Sequence, residues 1–391
     1  MTSTRSFDLL IVGGGAAGHA ALLAYRDRHP QDHVVLCSAE EDLPYMRPTL
    51  SKEYLAGKAG PDDLPLSGPE VYQGVDLQLG VPVAGLDTGA SAVALADGGL
   101  IHFERCILAT GSAPQDLPVP GADDPRVHQL RSLASARELD GAARSASSAI
   151  VLGSGFIGCE AAVSLTRRGI GVTMITNEQA PHRGRLGDYA GERVRDWLAE
   201  ENIDLVAGAT VTGITDGSEV TADGRARRAD LVLIGGGARP LTGYLDGAGI
   251  AASHHRIVVD AGMRTSVPTI WAAGDIALAH NSTAGRRLAV EHWGEAERMG
   301  TVAGVRAAGG NDRWAQVPGF WTTIGDRTLK YAAWGDGYDT AHVVEQEGER
   351  FTVWYARDSV LVGVLTHESD GDYERGRRLI ETKAPLSAAL H

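Results

Sequence analysis

Two glycine-rich loops, each between a short apolar strand and a helix-forming stretch, predict an α/β protein with two Rossmann-like dinucleotide-binding domains. Alternating segments near the C-terminal end add a small α+β domain. A chain of 391 residues exceeds what one hydrophobic core usually serves, which fits two or three domains. The balance of 36 Lys+Arg against 50 Asp+Glu gives a formal charge of −14, which repels a polyphosphate and excludes general nucleic-acid binding. Fifty glycines against five phenylalanines direct attention to loops in which backbone approaches a phosphate.

The first unit reads as a buried parallel strand at residues 7–12, then Gly13, Gly14, Gly15, Ala16, Ala17 and Gly18, then a helix to about residue 28. Gly13 makes the tight turn, Gly15 lets amides reach a pyrophosphate, and Gly18 lets helix and strand pack closely. A second strand at 33–37 should lead to an acid for the ribose hydroxyls, and Glu40 or Glu41 lies at about the right place. Arg5 followed by an apolar stretch imitates a secretion signal, but its glycines and His19 weaken that reading. No run of about 18 apolar residues is present, so no membrane partner is expected. Three scattered cysteines, Cys37, Cys106 and Cys159, suit a cytoplasmic protein better than a disulfide framework or a metal site.

The second unit repeats the pattern. A strand at 149–152 runs into Gly153, Ser154, Gly155, Phe156, Ile157 and Gly158, then a helix to about residue 168 and a strand at 172–175. That strand ends at Thr176, with no acid to repel a 2′-phosphate, and His182, Arg183 and Arg185 follow; NADH and NADPH both stay open as coenzymes. One chain holding two dinucleotides is what an FAD enzyme needs to accept hydride from a nicotinamide.

Several further motifs carry a family resemblance. Residues 47–52 read RPTLSK, residues 158–160 read GCE, residues 272–275 read AAGD, and residues 291–293 read EHW. Together they resemble the FAD-dependent NAD(P)H:ferredoxin and rubredoxin reductases of oxygenase systems, within the pyridine nucleotide-disulfide oxidoreductase superfamily but lacking its redox dithiol. They are also similar to apoptosis-inducing factor. The resemblance implies that Asp275, after Gly274, bonds the flavin ribityl chain, that Arg47 lies near the pyrophosphate, and that Lys52 and Glu160 pair beside the isoalloxazine. It implies a crossing into the nicotinamide domain at Ala109, Thr110 and Gly111 and a return around Gly237. Val83, Glu291, His292, Trp293 and Trp321 complete the expected cofactor-binding set. The family's usual acid at the end of the first unit's second strand is replaced here by Ala39, and Glu40 is expected to take over.

No close-spaced cysteine pair follows the first loop, so electrons must leave to an external acceptor. Each cysteine reads as a small buried hydrophobe, although Cys159 sits at a helix N-terminus, which can lower a thiol pKa. Lys52 would stabilise an anionic reduced flavin, with Glu160 holding it; the alternative is a surface ion pair worth at most about 1 kcal/mol. Trp293 either gates electron exit or is a half-buried indole between helix and sheet. In the tail, strands are expected at 328–334, 340–345, 351–356 and 360–366, with a closing helix at 372–380. Arg286, Arg287, Arg298 and Arg306 are the expected landing area for an acidic ferredoxin, or else ordinary surface arginines.

The expected organisation is a flavin domain over 1–113 and 246–314, an inserted nicotinamide domain over 114–245, and a C-terminal domain over 315–391. The expected function is electron transfer from NADH or NADPH through FAD to a small iron–sulfur ferredoxin that feeds an oxygenase, by a monomer or homodimer. Two alternatives remain: an NAD(P)H oxidase or quinone reductase, and a redox-sensing binding protein like apoptosis-inducing factor.

Overall fold

A computed structural model describes residues 5–390. Among them lie six α-helices: α1 Ala16–Arg26, α2 Leu133–Ala143, α3 Phe156–Thr166, α4 Arg183–Glu200, α5 Trp293–Ala307 and α6 Asp370–Glu381. The first strand, Arg5–Val12, pairs in parallel with Val34–Ser38 on one side and Leu100–Leu108 on the other. Its apolar run is sealed on both faces, with Leu9, Leu10 and Ile11 fully buried. Val75–Leu79 extends the sheet beyond Val34–Ser38. The distant strand Ile270–Ala272 joins beside Leu100–Leu108 and so delivers Gly274 and Asp275 to the sheet's C-terminal edge. Helix α1 packs on α5, whose Gly300 and Gly304 lie against the backbone of Ala17 and Ala21; a side chain at either glycine would overlap a carbonyl. This close approach fixes the start of α1, and hence the first glycine loop.

The second parallel sheet has the order Asp204–Val206, Gly171–Ile175, Ser148–Leu152, Leu231–Ile234, Val127–Gln129. Two short antiparallel strands, Ser112–Pro114 and Ala238–Pro240, pair where the chain passes between the two Rossmann-like halves. Helix α4 breaks at Gly187, whose φ of +86° suits glycine, and the Tyr355 hydroxyl donates to the carbonyl of Leu186 beside the break at 2.6 Å.

The tail folds into an antiparallel sheet in the order Gly319–Ile324, Arg327–Ala333, Val360–His367, Phe351–Arg357, Thr340–Glu345. Helix α6 packs on this sheet and begins two residues earlier than the pattern suggested. Phe351, Trp354 and Tyr355 are almost fully buried and are its largest sealed side chains. The first of these strands alternates cleanly: Phe320, Thr322 and Ile324 are buried, while Trp321 is 47% exposed. The architecture is therefore two Rossmann-like domains and a C-terminal α+β domain. No helix among the described residues is long and apolar enough to cross a membrane.

Candidate functional site

The two glycine loops are near copies. Gly13 has φ +116° and Gly153 has φ +100°, turns that an L side chain resists. A Cβ on Gly13 would overlap the Ala109 carbonyl, one on Gly153 would stand 2.6 Å from the Gly235 oxygen, and those on Gly18 and Gly158 would overlap the preceding loop turn. Gly15 and Gly155 differ in kind. Both are extended N-caps that face open space, the nearest atoms to a Cβ being Arg47 Nε at 3.9 Å and Gly235 O at 4.0 Å. Neither helix has a side-chain cap or an acid in its first turn, so the leading N–H groups of α1 and α3 are left for an anion. Ala16 and Ala17 are buried at the start of α1, whereas Ile157 stays 40% exposed.

Lys52 and Glu160, 108 positions apart in the sequence, are brought together by a single turn of π-helix, Leu50–Tyr54, packed on α3. Lys52 Nζ lies 2.8 Å from Glu160 Oε2 and donates to the Pro48 carbonyl at 3.0 Å. Ser51 Oγ donates to Oε2 at 2.5 Å, and Thr322 Oγ1 donates to Oε1 at 2.6 Å. With side chains 15% and 6% exposed, this is a buried pair and not a surface one. Nothing in residue type or spacing marks Ser51 or Thr322 as partners.

Around the first loop the guanidinium of Arg47 approaches Gly15 and bonds Glu40, whose other oxygen accepts from Tyr45 at 2.5 Å. Arg47 also donates to the carbonyl of Arg131 at 3.0 Å. Arg131 reaches Asp275 at 2.9 Å, and Ser112 Oγ donates to the same oxygen at 2.5 Å. Glu40, Arg47 and Asp275 thus fall into one network, knitted by an arginine that sequence reasoning missed. Its one signal is the Arg-Ser step before α2, where Ser132 caps the helix. Thr110 and Gly111 bond Leu241 at the crossing between halves. Gly237 lies just before the returning strand with φ +102°.

At the second loop Thr176 turns inward, its hydroxyl 2.8 Å from Ser154 Oγ, and the acid that reaches the loop is Glu178. Its carboxylate accepts from Ser154 Oγ at 3.3 Å and from the amide of His182 at 3.0 Å. The basic residues noted there are otherwise engaged. Arg183 pairs with Asp188, Arg185 lies over the Phe156 ring, and burial pushes His182 down to about 3. Phe156 stacks on His182 at 4.0 Å and meets Phe320 at 4.6 Å, which in turn meets His292 at 4.4 Å. Burial holds His292 down to about 4. Glu291 pairs with Arg256, and Trp293 opens α5 half-buried. Val83 starts the strand Val83–Asp87 and packs on the flavin-half core.

The three cysteines are buried, as their reading as small hydrophobes expects. Cys159 is fully buried and its thiol is pushed up, first by desolvation and then by Glu160 and Glu178, so the helix terminus does not activate it. Cys37, pushed up to about 12, and Cys106 are sealed likewise. Within the arginine cluster, Arg286 pairs with Asp336 and Arg298 with Glu295, while the Arg306 Nε is buried against Gly262 with no hydrogen-bond partner among the described residues.

Against known families, residues 7–300 match the pyridine nucleotide-disulphide oxidoreductase model, and residues 319–391 match the reductase C-terminal model. The chain belongs to the pyridine nucleotide-disulphide oxidoreductase family. A ferredoxin–NAD(P)(+) reductase of Sphingomonas is 31% identical over 409 residues, covering 100% of this chain and 96% of that protein. Apoptosis-inducing factor 3 of Homo sapiens is 29% identical over 380 residues; the match spans 94% of this chain but only 62% of that relative's length. The crystal structure of the ferredoxin reductase for the CYP199A2 system of Rhodopseudomonas palustris superposes with a TM-score of 0.90 at 26% identity, covering 97% of this chain and 95% of that one. The family uses FAD and NAD(P)H, and the two uncapped helix termini with their open second glycines fit those pyrophosphates. Bound there, FAD would supply two-electron uptake of hydride with onward delivery of electrons.

Proposed function

We propose that this oxidoreductase carries electrons from a nicotinamide coenzyme, through FAD, to a small iron–sulfur carrier of the ferredoxin type that supplies an oxygenase. The observation that carries this reading is the buried Lys52–Glu160 pair joining the two glycine-loop halves, together with the burial of every cysteine. A fixed ammonium favours the anionic reduced ring, and with no close-spaced dithiol to take them the electrons go to an outside acceptor. In this reading Gly13, Gly15, Gly18, Arg47, Arg131 and Asp275 hold FAD, and Gly153, Gly155 and Gly158 hold the coenzyme.

Glu178 favours NADH over NADPH, because a carboxylate bonded to the loop residue Ser154 accepts from a ribose 2′-hydroxyl and repels a 2′-phosphate. It also borders an open cleft of about 660 Å³ lined as well by Tyr338 and Val343. We assign the protein to the reducing cytoplasm, with domains divided near 113, 245 and 314. Cytochrome c turnover with and without ferredoxin tests the reading. A ferredoxin-dependent rate supports it; equal rates in both arms point to an oxidase or quinone reductase. Slow hydride uptake with a change of oligomeric state would instead indicate a redox-sensing binding protein.

A further inference from the structure

The Glu160 carboxylate is shared by three parts of the molecule. It belongs to α3 of the nicotinamide half, its Oε2 accepts from Ser51 and Lys52 of the flavin half, and its Oε1 accepts from Thr322 of the C-terminal sheet at 2.6 Å. Thr322 is 1% exposed, and its neighbour Trp321, pointing to the opposite face of the same strand, is 47% exposed. The strand that presents the open indole is therefore tied through one hydroxyl to the carboxylate that holds the lysine. We infer that Thr322 is a positioning residue of the electron-transfer site, setting the charge balance of the Glu160–Lys52 pair from the C-terminal domain. This inference rests on the flavin reading given above.

The physical argument is electrostatic. A hydroxyl dipole aimed at a buried carboxylate spreads its negative charge, and in a poorly polarisable site that dipole is felt at nearby atoms. Without it, Oε1 keeps an unsatisfied lone pair and the pair as a whole turns more negative toward its surroundings. Lys52 then offsets less of the charge gained on reduction. Thr322→Val removes the hydroxyl and keeps the shape of a residue suited to a strand. Thr322→Ser keeps the hydroxyl.

The test is spectroelectrochemical titration of the flavin midpoint potential in the FAD-loaded protein and in Thr322→Val, Thr322→Ala and Thr322→Ser, each with its flavin content and melting temperature recorded. The valine and alanine variants should both shift the midpoint to more negative potential, with the serine variant restored to the parent value. Loss of melting temperature in valine without a midpoint shift would mark Thr322 as merely structural and overturn the inference. So would an equal shift in the serine variant. Alanine keeps the test open if valine does not fold. If the parent protein takes up no flavin, the underlying reading fails instead, and the two failures are thereby distinguished.

Discussion

Deleting the Glu160 side chain should expose how much the buried pair contributes. Both carboxylate oxygens are occupied, by Lys52 at 2.8 Å and by the hydroxyls of Ser51 and Thr322. Glu160→Ala strands an ammonium that is 15% exposed and leaves two hydroxyl donors without an acceptor. Breaking a buried pair from one side costs about 3–5 kcal/mol, whereas an exposed pair is worth about 0–1 kcal/mol. The effect comes mainly from the uncompensated charge, so removing that charge as well should recover stability. The double variant Glu160→Ala/Lys52→Met is expected to be more stable than Glu160→Ala alone by about 2 kcal/mol. Urea unfolding followed by tryptophan fluorescence, at one fixed excess of FAD, measures all four corners of the cycle. A Glu160→Ala loss below about 1 kcal/mol, or a double variant no better than the single one, would refute the buried-pair argument.

Four other outcomes are expected. Gly15→Ala should match the melting behaviour of the flavin-free parent but lose flavin on dialysis, because its Cβ meets only ligand space; Gly13→Ala should lose the fold as well, and flavin absorbance with circular dichroism separates them. Glu178→Ser should weaken NAD+ binding by about tenfold while strengthening NADP+ binding, read by equilibrium titration. Glu295 is fully buried on α5 and accepts from the Trp314 indole at 2.9 Å and the Gly319 amide at 3.3 Å; Glu295→Ala should cost about 3 kcal/mol and open residues 308–318 to protease, visible on a gel time course. His182 and His292 are held neutral by burial down to about 3 and about 4, so an unfolded chain binds more protons than the folded one below its ordinary pKa. Their contribution to stability is complete above about pH 6.5 and is lost as pH falls toward 4; His182→Phe should flatten the acid limb of the melting profile, and an unchanged slope would count against this account.

The glycine loops were legible because their demands are local: a turn, an open second glycine and a helix start are all written within six residues. The C-terminal strands were legible through their alternation, although Gly319–Ile324 was hidden because its aromatic residues read equally well as packing. What the sequence could not show was contact between domains. Ser51, Thr322 and Arg131 are ordinary residue types whose importance arises only when separate halves meet. Lys52 and Glu160 emerged through family resemblance and not from spacing. Glu178 was overlooked because the acid was sought at the strand's last residue. Thr176 instead folds inward onto Ser154, and the chain needs two further residues to return to the loop.

The sealing of Cys37, Cys106 and Cys159 has a practical side. Reactions with peroxide, glutathione or maleimide proceed through an accessible thiolate, and none of these three sulfurs offers one. The folded protein should tolerate storage in air without added reductant. A single cysteine engineered onto its surface would then be the sole attachment point for a spin label or fluorophore, without first stripping out the native thiols.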